Sequence, residues 1–452
     1  MSKLKTIFVC QSCGYTSTNW VGQCPQCQEW NSFLEDVISP SLNRGKQNIP
    51  GSSRMKSTAR SKTVSLSSVS IKPPKRLSTN ISEFDRVLGG GFVPGQVVLL
   101  SGEPGIGKST LLTEICRELK DNPILYICGE ENIEQIKLRV SRLNYKGDNL
   151  SLLPETSIEM IDTAVRESFS DERPKNKRYS LLIIDSIQTL YSNDLGGLPG
   201  SLVQVRGCTQ LLTNMAKELD IPVVLVGHVT KEGVVAGPKV LEHIVDTVLF
   251  LEGDSQHMFR ILKTTKNRFG PVSEVGIFEM FSDGIKEVKN PSQVFLEQRM
   301  EKSPGSCVGV TMEGYRPILF EVQALTTKTS FGYPKRTASG FNVNRLQVLL
   351  AILEKRVGLP TGSYDVYINI AGGFKVNEYA SDLAVCLAVV SALKDIPIKS
   401  KTVVFGECGL SGEIRKVVHQ EKRQKEASRL GFTNVIGYDR CKSILSAIKQ
   451  AF

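Results

Sequence analysis

A glycine-rich segment, GEPGIGKS at Gly102–Ser109, joins an apolar run at Val97–Leu100 to a helical pattern at Ser109–Lys120. A buried strand that passes through such a loop into a helix restricts the chain to an α/β fold. The spacing is typical of a phosphate-binding loop, whose backbone N–H groups and helix N-terminus surround phosphate oxygens. We expect ATP to contact this loop through Gly102, Glu103, Pro104, Gly105, Ile106, Gly107, Lys108, Ser109 and Thr110.

The same pattern supplies the residues that handle charge on a triphosphate. Lys108 can reach the β- and γ-phosphates, and the hydroxyl of Ser109 can ligate Mg²⁺. Asp185 ends the apolar run Leu181–Ile184, and a carboxylate at the end of a parallel strand lies at the edge where nucleotides bind. We expect Asp185 to be the second protein partner of Mg²⁺, the alternative being an Asp that caps a turn.

Hydrolysis also needs a group that orients the attacking water. Glu130 and Glu131 follow the apolar run Ile124–Cys128, and either can serve. The alternative is a Glu pair that only compensates the dipole of the next helix. His228 follows the run Val223–Gly227, where it can contact the γ-phosphate, although a lone His is more often structural.

Short apolar runs alternate with helical patterns over residues 76–290, which predicts a doubly wound α/β domain. The predicted strands are Val97–Leu100, Ile124–Cys128, Leu181–Ile184, Val223–Val226 and Thr247–Leu251, and the helices include Ser109–Lys120, Glu131–Leu143 and Leu202–Leu219. A second α/β pattern covers residues 291–452. Its predicted strands are Val308–Met312, Ile318–Ala324, Tyr364–Ile370, Thr402–Gly406 and Asn434–Ile436, and its helices are Phe341–Glu354, Ala380–Leu393 and Glu421–Leu430.

Residues 1–36 contain four cysteines in two closely spaced pairs, Cys10 with Cys13 and Cys24 with Cys27. Two such pairs complete a tetrahedron of thiolates around Zn²⁺, and four protein ligands leave no position for water. We therefore predict a structural zinc site in a module too small to fold on its own core. The alternatives are a redox dithiol and free thiols.

Residues 37–82 carry nine Lys or Arg and no acidic residue, within a chain of net charge +10. Few large apolar side chains occur over residues 37–75, so we predict a flexible basic linker there. The localised charge indicates a polyanionic partner, or else a solvated tether. The sequence shows neither a signal-peptide pattern nor a stretch that could span a bilayer, so we expect a cytoplasmic protein without membrane contact.

Several segments together resemble one family. STNISEFDRVLGGGF (78–92) precedes the phosphate loop, CGEE (128–131) follows the next apolar run, and KNRFG (266–270) lies beyond the fifth. With the four-cysteine module and the C-terminal pattern, they resemble the RadA (Sms) family of bacterial DNA repair proteins over essentially the whole chain. The resemblance implies a RecA-like core, a homo-oligomeric hexameric ring with ATP at subunit interfaces, and a RecA-type recombinase as partner.

The resemblance also implies an activity, which is ATP-driven movement along single-stranded and branched DNA with branch migration during homologous recombination. Glu130 matches the catalytic glutamate of the family, and His228 matches the residue that couples the γ-phosphate to DNA-binding loops. We expect these loops at Ser192–Ser201 and Lys231–Lys239, with Arg206 as a candidate contact to the DNA backbone.

Lys266 and Arg268 of the KNRFG segment are the remaining catalytic candidates. In a ring they can reach the neighbour's ATP and stabilise charge that develops on the γ-phosphate. The family pattern also allows them to contact DNA phosphates, and a merely exposed basic turn is the third alternative.

Residues 291–452 resemble the Lon protease domain in three segments, Ala371–Gly373, Asp382–Ala384 and Gly406–Glu413. The alignment puts Ala380 at the position of the serine nucleophile, one residue before Ser381, and Glu421, beside Lys422, at the position of the lysine. Adjacent helical residues point about 100° apart, so Ser381 cannot simply replace a serine at the position of Ala380. We therefore expect a non-proteolytic domain.

The role implied for this tail is ring assembly together with an additional DNA surface. Its basic candidates are Lys328, Lys335, Arg336, Arg345 and Arg415. Two other functions stay open at this point, an ATP-dependent Lon-like protease and a DNA scaffold that binds ATP only as a switch.

Overall fold

The computed structural model describes residues 5–10, 15–26, 28–30, 33–38, 75–170, 174, 178–228, 238–253, 259–297, 299–300, 302–330, 332–373 and 375–452. Cys13 and Cys27 lie outside the described residues, as do most of the linker predicted at 37–75 and of the loop predicted at Lys231–Lys239. In the described part of the chain, no helix has both the length and the apolar character needed to cross a membrane.

Two compact units make up the structure. The first contains Met1–Thr79, Gly90–Pro104 and Leu112–Val248. The second contains Asn80–Gly89, Gly105–Leu111 and Leu249–Phe452.

The strands up to residue 290 are β1 (Lys5–Cys10), β2 (Thr16–Ser17), β3 (Phe33–Ile38), β4 (Val97–Gly102), β5 (Ile124–Cys128), β6 (Leu150–Leu153), β7 (Leu181–Asp185), β8 (Val223–His228), β9 (Thr247–Gly253), β10 (Phe259–Asn267), β11 (Val275–Phe281) and β12 (Gly284–Glu287). The helices in the same part are α1 (Ser82–Leu88), α2 (Lys108–Glu118), α3 (Ile133–Arg142), α4 (Ile158–Ser168), α5 (Leu202–Leu219) and α6 (Pro238–Leu241).

Five parallel strands form the centre of the first unit, in the order β4-β8-β7-β5-β6. β4, β5 and β7 are buried along their whole length, as expected for Val-, Leu- and Ile-rich strands covered on both faces. The predicted α/β core is confirmed, and the helix predicted at Leu202–Leu219 coincides with α5. Because the strands are parallel, the carboxyl ends of β5, β7 and β8 lie at one edge of the sheet.

Three antiparallel strands, β10, β11 and β12, follow β9 and belong to the second unit. The sequence analysis did not predict them, because β10 alternates between buried and half-buried positions and contains no continuous apolar run. Lys266 and Asn267 are the last two residues of β10. The KNRFG segment therefore begins inside a strand and continues into the turn that follows it.

The tail adds the strands β13 (Ser306–Glu313), β14 (Arg316–Lys328), β15 (Arg336–Ser339), β16 (Tyr364–Ile370), β17 (Thr402–Val404), β18 (Glu407–Cys408), β19 (Ile414–Arg415) and β20 (Asn434–Ile436). Its helices are α7 (Pro291–Glu297), α8 (Val343–Ile352), α9 (Asp382–Lys394), α10 (Gln420–Arg429) and α11 (Ile444–Ala451). Six of the strands form a mixed sheet in the order β15-β16-β14-β13-β17-β20, and the predicted pair β13–β14 is antiparallel.

The tail and the strand β11 share one hydrophobic core within the second unit. Ile277 of β11 belongs to the same buried cluster as Phe320 and Leu346 of the tail. The buried carboxylate of Glu83 on α1 also connects β11 with the tail. It accepts the N–H of Ile277 (3.0 Å) and pairs with Arg316 at the start of β14. The side chain of Glu83 is fully buried, so this ion pair is shielded from solvent.

Candidate functional site

The phosphate-binding loop has the backbone that its glycines predict. Gly105 and Gly107 have φ values of 75° and 111°, a region that favours glycine. A Cβ on Gly107 would lie 2.6 Å from the terminal Cε of Met280, which can move aside, so the φ value is what favours glycine there. Lys108 begins α2 and is only 4% exposed, whereas Ser109 is half-buried. Positive φ angles and a helix N-terminus fit the triphosphate of ATP.

A buried arginine that the sequence analysis missed supports this loop within the second unit. Arg260 of β10 is 5% exposed, and its Nε donates to the carbonyl of Ile106 at 3.1 Å. Its Nη1 donates to the carbonyl of Phe259 at 2.9 Å. A guanidinium donates through a rigid planar fork, so Arg260 fixes one peptide of the loop.

In the first unit, three predicted site residues come together at the ends of β5, β7 and β8. One nitrogen or oxygen atom each from Glu130, Asp185 and His228 lies within 4.8 Å of the others. Nε2 of His228 lies 3.0 Å from Oε2 of Glu130. The backbone places Glu130 here, because the N–H groups of Gly129 and Glu130 donate to the carbonyl of Asp185 at 2.9 and 3.2 Å.

The two adjacent glutamates have different surroundings. Nη1 of Arg139 donates to both carboxylate oxygens of Glu131, at 2.8 and 2.5 Å. Arg139 is itself buried and donates from Nε to the hydroxyl of Thr113 at 3.1 Å. Glu130 is exposed and faces the Asp185–His228 side. The structure therefore distinguishes the two glutamates. Arg139 holds the carboxylate of Glu131, whereas that of Glu130 is open to solvent.

Tyr126 is a second residue that the sequence analysis missed. Its hydroxyl donates to Oδ2 of Asp185 at 2.5 Å, and Nη2 of Arg139 donates to the same hydroxyl at 3.4 Å. Burial, together with the nearby Asp185 carboxylate, raises the pKa of Tyr126 well above its usual value. The phenol therefore stays protonated at neutral pH and donates to Asp185, which is 4% exposed. A buried, oriented carboxylate is a suitable Mg²⁺ partner.

The cysteine module brings two of its four predicted ligands into one cluster. Cys10 and Cys24 are buried with Phe33 between the strands β1 and β3. The N–H of Cys10 donates to the carbonyl of Tyr15 (2.8 Å), and that of Cys24 to the carbonyl of Glu29 (3.0 Å). Each bond joins a cysteine to a residue five positions further along the chain. These residues fit Zn²⁺.

The KNRFG turn is attached to α1. Nδ2 of Asn267 donates to the carbonyl of Leu88 (3.1 Å), and its Oδ1 accepts the N–H two residues ahead (2.9 Å). A Cβ on Gly270 would lie 3.1 Å from Cα of Gly89, which caps α1, so the turn packs closely against the end of this helix. Lys266 is half-buried, and Arg268 is exposed at the tip of the turn.

The first predicted DNA loop, Ser192–Ser201, is organised by Gln204 of α5. Nε2 of Gln204 donates to the carbonyls of Ser192, Leu195 and Gly197 at 3.1, 3.0 and 3.2 Å. The neighbouring Arg206 is exposed. The loop thus has one defined conformation in which its backbone is tied to a helix.

The Lon-like segment of the tail contains no exposed nucleophile at the aligned positions. Ala380 and Ser381 are both buried, and Oγ of Ser381 donates to the carbonyl of Glu378 at 2.6 Å. At the other aligned position Glu421 and Lys422 are exposed, and Nζ of Lys422 lies 4.5 Å from the ring centre of Tyr315.

Two arginines pair with carboxylates that lie close to Ser381 in the sequence, Arg423 buried and Arg345 half-buried. Arg423 is fully buried, pairs with Glu378 and donates to the carbonyl of Val310 at 2.7 Å. Arg345, one of the basic candidates, pairs with Asp382 and donates to the carbonyl of Cys408 at 3.0 Å.

The other basic candidates of the tail differ in accessibility. Arg336 is engaged with the carbonyls of Tyr364 and Thr361. Lys328, Lys335 and Arg415 are exposed.

Fold and site together define a P-loop ATPase of the KaiC and RecA class with an N-terminal zinc ribbon. The family of KaiC ATPases matches residues 77–292, and the rubredoxin metal binding domain matches residues 8–35. A KaiC-like protein from Pyrococcus horikoshii is a structural neighbour with 20% identity and a TM-score of 0.38, covering 48% of this chain and 100% of its own. An ATPase core of this class uses ATP with Mg²⁺, and the ribbon matches a metal-binding domain.

Relatives extend over nearly the whole chain. The DNA repair protein RadA of Bacillus subtilis is 46% identical over 442 residues, which are 96% of this chain and 93% of that protein. The DNA repair protein RadA of Listeria monocytogenes is 47% identical over 436 residues, which are 96% of this chain and 92% of that protein. The chain belongs to the RadA family.

Proposed function

We propose that this protein is a DNA-dependent ATP hydrolase that moves along single-stranded and branched DNA and promotes branch migration during recombinational repair. It works in the cytoplasm as a hexameric ring, together with a RecA-type recombinase. The observation that carries the proposal is the 3.0 Å contact between His228 and Glu130. That contact links the residue that would activate water to the end of β8, from which the chain continues into the predicted loop Lys231–Lys239.

In this proposal each site residue has its own role in ATP binding or hydrolysis. The backbone of Gly105–Gly107 and the ammonium of Lys108 bind the triphosphate, while Ser109 and Asp185 hold Mg²⁺, which neutralises charge on the phosphate oxygens. Glu130 orients the attacking water. Glu131 cannot take this role without giving up both of its bonds to Arg139.

His228 is the proposed link between hydrolysis and movement. Its Nε2 can contact Glu130 or a γ-phosphate oxygen, and a change of partner would move the backbone at the end of β8. A bistable contact of this kind lets nucleotide state bias a neighbouring loop. Arg206 and the loops at Ser192–Ser201 and Lys231–Lys239 then hold the DNA backbone without reading its sequence.

Lys266 and Arg268 complete the proposed site from a neighbouring subunit. The exposure of Arg268 and the anchoring of its turn by Asn267 support a cation that is presented outward in a fixed position. A pre-positioned cation stabilises charge that develops on the γ-phosphate in the transition state.

The test is a pair of assays on one preparation, ATP turnover with and without single-stranded DNA and branch migration on a recombination intermediate. We expect DNA to stimulate turnover, and Lys108→Ala to abolish both activities. An ATP turnover rate that is the same with and without DNA, together with no strand displacement, would refute the proposed DNA translocation. Migration that persists in Lys108→Ala would instead favour a scaffold that uses ATP only as a switch.

The Lon-like protease is the second candidate, and the surroundings of Ser381 argue against it. Its hydroxyl is buried and donates to a backbone carbonyl, and no described lysine bonds to it. Cleavage of casein that disappears in Ser381→Ala would restore this candidate. Absence of cleavage in every nucleotide state would remove it.

A further inference from the structure

Both tryptophans of the chain, Trp20 and Trp30, lie in the zinc module, and neither contributes to its core. Trp20 is 55% exposed and Trp30 is 69% exposed, whereas the buried cluster of the module consists of Cys10, Cys24 and Phe33. An indole ring buries much apolar surface when it is used for packing. Two such rings left in water on one small module indicate a binding surface.

The two rings are neighbours. A Cβ on Gly22 would lie 3.7 Å from Cη2 of Trp20 and 3.7 Å from Cζ3 of Trp30, so both ring edges approach the same glycine. Trp30 is fixed by a backbone bridge to Gln23, whose Nε2 donates to the carbonyl of Gln28 at 2.9 Å. Trp20 before the second cysteine pair and Trp30 after it therefore bring the edges of two exposed indole rings to the same glycine.

The basic segment that follows the zinc module indicates a negatively charged partner. Residues 37–82 carry nine cations and no acidic residue, which suits a polyanion. A partner with both flat aromatic faces and a dense negative backbone is a single-stranded nucleic acid, because every base has a π-face and a duplex hides those faces in its stack.

We propose that Trp20 and Trp30 form a base-stacking site through which the zinc module holds single-stranded DNA. The inference rests on the proposed function, since it names a second place where this protein contacts its DNA. Stacking on indole does not depend on base identity, so the site grips any sequence and tolerates movement along it.

The test uses the full-length, zinc-loaded protein and two readouts with short oligothymidylate. Anisotropy of a labelled oligonucleotide reports binding anywhere on the protein, and intrinsic tryptophan emission reports binding at this site alone. We expect single strands to quench the emission strongly and a duplex of equal length to quench it weakly. Trp20→Phe and Trp30→Phe leave one tryptophan each and show whether both rings are contacted.

Affinity supplies the second measurement. Each of Trp20→Ala and Trp30→Ala should weaken oligothymidylate binding about 5- to 150-fold, the range for one lost base stack. The Phe variants should retain most of the affinity. Leu445→Ala is the matched control, because it removes a side chain of the tail that is 49% exposed and should change nothing. Zinc content of one ion per chain confirms that each variant is folded in this module.

The outcomes separate the two proposals. Oligonucleotide binding by anisotropy without a change in emission, and with unchanged affinity in both Ala variants, overturns the stacking site and leaves the motor intact. Absence of any DNA binding overturns the proposed function itself. Emission that responds only when a recombinase protein is added shows that the tryptophans form a protein-docking surface, which also overturns the inference.

Discussion

Arg139 holds both carboxylate oxygens of Glu131, at 2.8 and 2.5 Å, whereas the adjacent Glu130 lies beside His228. We predict that Glu130→Gln retains ATP binding but loses turnover by about 10²- to 10⁴-fold, the usual contribution of a group that positions a proton acceptor. Glu131→Gln is the matched control, and it should affect turnover far less. The measurement is steady-state ATPase activity beside nucleotide affinity. Equal losses in both variants would contradict the assignment.

Tyr126→Phe removes the hydroxyl that donates to Asp185. The buried carboxylate then loses this donor, which costs about 1–3 kcal/mol of folding stability. Because the pKa of Tyr126 is raised, the donor is present throughout the neutral range. We expect a lower melting temperature and a higher Mg²⁺ requirement for ATP turnover. Tyr145→Phe is the control, since its hydroxyl bonds to Asn149 at 2.5 Å in a different part of the unit. An unchanged Mg²⁺ titration would show that Tyr126 does not orient Asp185.

Arg260→Met should raise KM for ATP about tenfold. The variant cannot donate a hydrogen bond, and leaving a buried carbonyl without its donor costs roughly 1–3 kcal/mol. The affected group is the carbonyl of Ile106 in the phosphate loop. Arg260→Lys should recover part of the affinity, because an ammonium can donate but not through a planar fork. Arg429→Met, at an exposed ion pair with Glu426, serves as control. A KM equal to that of the control would mean that the loop holds its shape without Arg260.

Arg268→Ala should lose turnover while binding ATP, if its guanidinium acts on the neighbour's nucleotide. Mixed rings then give a sharp test. Lys108→Ala subunits keep Arg268, and Arg268→Ala subunits keep the phosphate loop, so mixing the two inactive variants should restore part of the activity. Asn267→Ala should resemble Arg268→Ala, because Asn267 ties the turn to Leu88. No recovery on mixing, together with weakened DNA binding, would place Arg268 on DNA instead.

Removal of zinc should unfold the ribbon and spare the ATPase core. A module with a core of Cys10, Cys24 and Phe33 depends on metal for its folding energy. A chelator should therefore shift tryptophan emission, which comes from this module alone, and leave the main calorimetric transition in place. Tryptophan emission that does not change when the chelator is added would contradict the zinc site.

The sequence predicted most accurately the strands and helices that are marked by an uninterrupted apolar run or a clear helical period. The parallel strands of the first unit, the helix α5 and the strand pair β13–β14 all follow from apolar runs and helical periodicity. Gly102–Ser109 followed from motif spacing, Asp185 from its position at the end of an apolar run, and the role of His228 from the family resemblance. The structure brings Asp185 and His228 together with Glu130.

Other features depend on contacts between distant residues, which no local pattern shows. The bonds from Tyr126 to Asp185 and from Arg260 to Ile106 join different elements of the chain. The strand β10 alternates between buried and partly exposed residues, so its apolar signal is diluted. The π-helical turn at Leu353–Val357, which extends α8, likewise has no signature in composition.

The ion pair between Glu83 and Arg316 has a consequence for how this chain could have been assembled. Stripping one partner from a buried pair costs about 3–5 kcal/mol, a large share of the 5–15 kcal/mol by which ordinary domains are stable. A chain shortened before Arg316 would leave Glu83 with only the exposed Arg86 as an ion-pair partner among the described residues and would uncover Ile277. Removal of the tail would therefore also disturb α1 and β11, whose side chains pack against it.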